Sequence, residues 1–123
     1  MNSSESHTIH EAALARFLSL GDFPVICFGA SAAGARSIDI LRQLGRAPSF
    51  ICDNDPTKVG KTFCGCEVLS PQAITENKTD YVVLITSMYR QQIESQLAQI
   101  PGMIDIFFHL DLFPETVMPS SYE

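Results

Sequence analysis

VICFGASAAGARSIDILRQLG, residues 25 to 45, decides the fold. Val25 to Gly29 is a short continuous apolar run that ends at a glycine, the pattern of a strand buried on both faces of a parallel sheet. After a turn of small residues, Gly34, Ile38, Leu41 and Gly45 recur at helical spacing, with Leu44 thickening the stripe. Strand, glycine turn and helix follow one another without a break.

The turn Gly29-Ala30-Ser31-Ala32-Ala33-Gly34 reads G-x-S-x-x-G, one residue from the G-x-G-x-x-G of dinucleotide-binding folds. In such turns the first glycine permits the bend and the second lets the backbone approach a pyrophosphate. The third lets the helix pack close to the sheet. Gly29 and Gly34 fill the first and third roles, and Ser31 stands in the second, where its hydroxyl can donate to a phosphate. The helix start offers free amides and the positive end of the helix dipole. Asp53 closes the next strand nineteen residues past Gly34, about the spacing at which an acidic residue meets a ribose. The bland alternative is a turn that only packs a helix on a sheet, with Asp53 as a turn residue.

Outward from this unit, Thr8-Ile9-His10-Glu11 has capping-box form and opens a helix over 8–20, with Ile9, Ala12, Ala13, Phe17 and Leu20 as its stripe. Pro48 to Asp53 is a second strand, and "KTFCGCEVL" folds around Gly65 as a hairpin. Ser70-Pro71 opens a short helix, with Ser70 as cap. "YVVLI" is a third buried strand. "SMYRQQIESQLAQI" is a helix with Ile93, Leu97 and Ile100 inward, and Ile104 to Phe108 is the last strand. Strands alternating with helices imply one α/β domain over 1–123, Rossmann-like, with a mainly parallel sheet and helices on both faces. Residues 1–7 and 112–123 are expected as flexible tails.

Thr86 and Ser87 follow the "YVVLI" strand, which is expected beside the first strand on its other side. The boundary between the two is then the switch point where α/β sheets collect ligands. Ser87 also suits a helix cap. The expected binding set is therefore Gly29, Ala30, Ser31, Ala32, Ala33, Gly34, Asp53, Asn54, Thr86 and Ser87. Arg36, in the helix's first turn, is within reach of a phosphate, but the bland reading is a solvated surface arginine.

The chain has 123 residues, 46% of them hydrophobic and 18% charged, and a net charge of −6. Its eight lysines and arginines are scattered, which argues against nucleic acid as a partner. No apolar run approaches the ~20 residues of a membrane span. Four cysteines without a secretory leader imply reduced thiols and a cytoplasmic setting. Cys64 and Cys66 lack the partners of a metal site, and Cys27 and Cys52 fall in core strands. His7, His10 and His109 are scattered and form no catalytic set.

The pattern also resembles a known family. The glycine-rich turn is followed by a strand ending in Asp53-Asn54-Asp55-Pro56, then Val59-Gly60-Lys61, then Phe63-Cys64-Gly65-Cys66-Glu67-Val68-Leu69. Over about residues 9 to 108 this is similar to the Rossmann-like nucleotide-binding module of bacterial polysaccharide biosynthesis. That module stands at the front of capsule-type sugar-nucleotide dehydratases and epimerases and of sugar acetyltransferases, or is fused to methyl- or glycosyltransferases. The resemblance implies that Gly29, Ser31 and Gly34 face a diphosphate and that Asp53 faces a ribose or uridine. NAD or a UDP-sugar is the implied ligand, and a larger biosynthetic enzyme or a homo-oligomer the implied partner. No Tyr-x-x-x-Lys and no hexapeptide repeat accompanies it, so no catalytic residue is expected in this chain alone. Two rivals stay open: a degenerate interaction module that docks to, or is cut from, a larger carbohydrate-modifying enzyme, and an enzyme completed by another domain.

Overall fold

The computed structural model describes residues 2–76 and 79–114, and of residues 2–9 the backbone alone. Helix α1 (Asn2–Ser19) leads into β1 (Val25–Phe28), α2 (Ala32–Gln43) and β2 (Phe50–Cys52). The hairpin β3 (Thr62–Phe63) and β4 (Cys66–Leu69) follows, then α3 (Gln72–Thr75), β5 (Tyr81–Ile85), α4 (Arg90–Leu97), β6 (Met103–Phe108) and α5 (His109–Leu112). The six strands form one sheet in the order β3-β4-β2-β1-β5-β6. All neighbours are parallel except β3 against β4. This is the Rossmann-like α/β fold.

Side chains alternate across the sheet, as a period of two requires. Val25 and Cys27 of β1, Val82 and Leu84 of β5, and Ile51 and Val68 face α1, α2 and α5. Ile26, Phe28, Cys52, Tyr81, Val83 and Ile85 face α3 and α4. Every residue of β1 and β5 is buried, which explains why both read as unbroken apolar runs. Burial pushes the Cys27 thiol up to about 12 and raises Cys52 as well, so both behave as small inert hydrophobes.

The Cys64–Gly65 turn has positive φ at both residues (52° and 81°), the primed geometry whose twist matches a two-residue hairpin. Arg46 reaches back from the end of α2 to the carbonyls of Phe17, Leu20 and Phe23 at 3.2–3.3 Å. Those carbonyls lie at or just past the end of α1, where the i→i+4 ladder stops; Phe17 and Leu20 accept from the Leu20 and Phe23 amides in tighter turns, and Arg46 adds a second donor.

Five expectations need correction. α1 begins at Asn2, so Thr8 lies within the helix and does not open it, and residues 2–7 are helical. Ala12 is exposed, because the buried stripe of α1 runs through Ala13 and Phe17. Leu44 is 42% exposed, because α2 has ended by then and the chain is turning away from the sheet. Ser70 does not cap α3; its carbonyl accepts from Ala73 and no side chain caps that helix. The segment after β6 continues into α5, with Leu112 and Phe113 buried against the α1 side, so it is not free there. The rest of the expected tail, from 115, and the side chain of Ile9 lie outside the described residues.

Candidate functional site

β1 and β5 lie side by side with Phe28 opposite Ile85. Beyond them the chain leaves for α2 on one face and towards α4 on the other. The two loops part, and a crevice opens at the C-terminal ends of the strands. It has two lobes. The larger, about 560 Å³, is lined by Gly29, Ser31, Ala32 and Ala33 on one wall and by Ser87, Met88, Tyr89, Phe108 and His109 on the other, with Asp53, Asp55 and Lys58 at its side. The smaller, about 300 Å³, shares Gly29, Asp53, Asp55, Ser87 and Tyr89 with it and adds Asn54 and Gln92. Such volumes are those of small-molecule sites.

The glycine turn is held by a closed set of hydrogen bonds. Gly29 donates its amide to the Cys52 carbonyl (2.8 Å) and accepts from the Thr86 hydroxyl (2.7 Å). The Ala30 amide donates to Asp53 Oδ2 (2.8 Å), and the Ala30 carbonyl accepts from Lys58 Nζ (2.9 Å). Ser31 Oγ donates to the Thr86 carbonyl (2.8 Å) and accepts from the Gly34 amide (3.1 Å), which makes it the N-cap of α2. Asp53 Oδ1 accepts from the Asp55 amide (2.8 Å).

This network changes several expected roles. The single proton of the Ser31 hydroxyl goes to the Thr86 carbonyl in this structure, although Ser31 lines the larger lobe. Thr86 lines the larger lobe, but it is 1% exposed and its hydroxyl donates to the Gly29 carbonyl, which ties β5 to β1. Asp53 first latches the turn, although each of its oxygens keeps a second lone pair for a hydroxyl. Ala30 and Gly34 lie outside the two lobes. A Cβ at Gly34 would fall on the Gly29 carbonyl oxygen, which is the close helix–strand approach expected of a third glycine. Ser87 accepts from the Tyr89 amide (3.1 Å) and organises the turn before α4, while Tyr89 holds the cap position. Ala32 and Ala33, at the first turn of α2, present amides with no partner among the described residues.

Asp55, Lys58, Met88, Tyr89, Gln92, Phe108 and His109 also line the crevice and were not in the expected set. His109 had a usable signal, since a residue just past a parallel strand lies on the ligand edge. Burial lowers the His109 pKa from its ordinary 6.5, opposed by the Asp111 charge. As pH falls through 6.5 the unfolded chain takes up this proton before the folded one does, so stability is lost from there downward. Melting temperature is expected to fall between pH 7.5 and 5, and His109→Gln to flatten that slope; an unaltered slope in the variant would clear His109 of the effect.

Residues 12–104 match the family described as the C-methyltransferase C-terminal domain. The chain belongs to this family. Among solved structures, the chain superposes on UDP-D-quinovosamine 4-dehydrogenase from Vibrio fischeri with a TM-score of 0.57 and 22% identity, covering 80% of this chain and 85% of that one. It superposes on RSP, a Rex-family repressor, with a TM-score of 0.54 and 18% identity, over 81% of this chain and 57% of the repressor. RSP in complex with β-NADH gives 0.52 and 18%, over 81% and 58%. At these identities the likeness is one of fold. No curated protein matches the chain. Among the described residues, no three His, Cys, Asp or Glu side chains converge on a metal position, and no helix is long and apolar enough to cross a membrane.

Proposed function

We propose that this C-methyltransferase C-terminal domain binds a nucleoside-diphosphate ligand, a nucleotide-sugar or a dinucleotide, for a larger sugar-modifying enzyme and carries no chemistry of its own. The observation that supports it is the crevice at the β1/β5 switch point, with the unpartnered α2 amides of Ala32 and Ala33 at one wall. There the amides and the helix dipole favour a diphosphate. Asp53, Asp55, Asn54 and Gln92 supply acceptors for ribose hydroxyls in the smaller lobe. The fold is one that neighbours use: the Vibrio fischeri protein is a UDP-sugar dehydrogenase, and RSP was solved with β-NADH.

A thermal-shift panel of NAD, NADP, UDP, UDP-sugars and CoA at millimolar concentration tests the reading. Ligand at about 100 times its dissociation constant adds roughly 2.7 kcal/mol of stability, a shift of several degrees. UDP-sugars and NAD are expected to outrank NADP, because Asp53 accepts from hydroxyls and repels a 2′-phosphate. Ala32→Asp should leave the unliganded melt intact, since a carboxylate suits a helix N-terminus, yet abolish the shift by occupying the amides. A panel that moves nothing would reject the nucleotide reading. It would favour the interaction module, for which Met88 (84% exposed) and Tyr89 (61%) at the crevice rim are the natural contact.

A further inference from the structure

Beside the crevice, on the far side of the Ala30 peptide, lies a smaller cavity of about 170 Å³. Its lining is Ala30, Lys58, Lys61, Thr62, Phe63 and Val68. Lys58 borders both this cavity and the larger lobe, and its ammonium crosses between them on the Ala30 carbonyl. The floor is apolar, and every side-chain polar group in the lining is a hydrogen-bond donor. The Lys61 ammonium and the Thr62 hydroxyl have no side-chain hydrogen bond or ion pair among the described residues. Lys58 donates to the Ala30 carbonyl and pairs with Asp53 at 3.9 Å, so Lys61 carries the cavity's uncommitted charge.

No carboxylate lines this cavity, although the chain carries a net charge of −6. The neighbouring acids are outside it: Asp53 Oδ2 lies 3.9 Å from the Lys58 ammonium on the crevice side, Asp55 feels both lysines, and Glu67 stands across the hairpin from Thr62. Two of the chain's three lysines thus meet at one small cavity that opens beside the diphosphate wall. A phosphate alone would leave the part-exposed Phe63 side chain uncovered. A sugar ring covers it, with an acid group at the rim.

We infer that the Lys58–Lys61–Thr62 cavity holds the carboxylate-bearing sugar of a nucleotide-linked hexuronate whose diphosphate lies at the α2 amides. This rests on the nucleotide reading above and adds a substrate class to it. Lys61 supplies the charge, Thr62 a hydroxyl donor, and Lys58 bridges the diphosphate and the acid.

Titration calorimetry with UDP-glucose and UDP-glucuronate, which differ at the sugar's C6, tests the inference. The intact chain should bind the uronate about tenfold more tightly, the low end for a charge-assisted hydrogen bond. In Lys61→Gln the ratio of the two dissociation constants should fall to about one, and in Thr62→Val it should fall part of the way. Both residues are exposed, so folding is not at stake. Equal affinity for the two sugars in the intact chain, or a preference that survives Lys61→Gln, overturns the uronate inference and leaves the nucleotide reading standing. Failure of both UDP-sugars overturns the inference whatever else binds, and failure of the whole panel rejects the nucleotide reading with it.

Discussion

Gly34→Val is expected to destabilise the domain by about 3 kcal/mol, against about 1 kcal/mol for Ser31→Gly. Gly34 is buried in the first turn of α2, where an added Cβ meets the Gly29 carbonyl oxygen and, at 3.3 Å, the Thr86 hydroxyl. The first obstacle is backbone. It cannot rotate away, so the helix must lift from the sheet, and overpacking of this kind costs about 1–3 kcal/mol or more. Ser31→Gly removes the bond to the Thr86 carbonyl and the one from the Gly34 amide, while glycine remains a tolerable N-cap. Gly34→Ala sharpens the test. In an ordinary helix that change stabilises by about 1 kcal/mol, and here its sign should reverse. Denaturant midpoints decide the matter; equal midpoints for Gly34→Val and Ser31→Gly would remove Gly34 from the third-glycine role.

Phe17→Ala should cost about 3–5 kcal/mol, the range for truncating a buried phenylalanine. Phe17 is fully buried and meets the Phe107 ring edge-on at 5.2 Å, while the Arg46 guanidinium lies 4.6 Å from its centroid. It therefore joins α1, β6 and the end of α2. A cavity there would also loosen Arg46 from the carbonyls it satisfies. Urea unfolding of the variant checks this. A loss under 1 kcal/mol would mean that α1 is an attached helix and not part of the core.

Periodicity and glycine placement determined much on their own. Val25–Phe28 and Tyr81–Ile85 were legible as buried central strands because both their faces are covered, and continuous apolar runs record that directly. The close approach at Gly34 was legible because only glycine lacks the atom that would collide. That β5 adjoins β1 and opens a crevice there followed from the connection rules for parallel sheets.

What the polar groups do was decided by tertiary structure. Ser31 turns its hydroxyl to Thr86 across 55 residues, and Lys58 reaches Ala30 across 28. His10 meets the Asp111 carbonyl across 101, which brings α5 to α1 where a tail was expected. A hydroxyl or ammonium has the same composition whether it faces a ligand or a neighbouring carbonyl. Local sequence records which face of an element is buried, through a period of 2 or 3.6. It does not record which distant group stands within 3 Å, because that depends on how the elements are stacked. Among the described residues, the donors at Ala32, Ala33, Lys61 and Thr62 that make no hydrogen bond of their own became visible only after the others had found their partners.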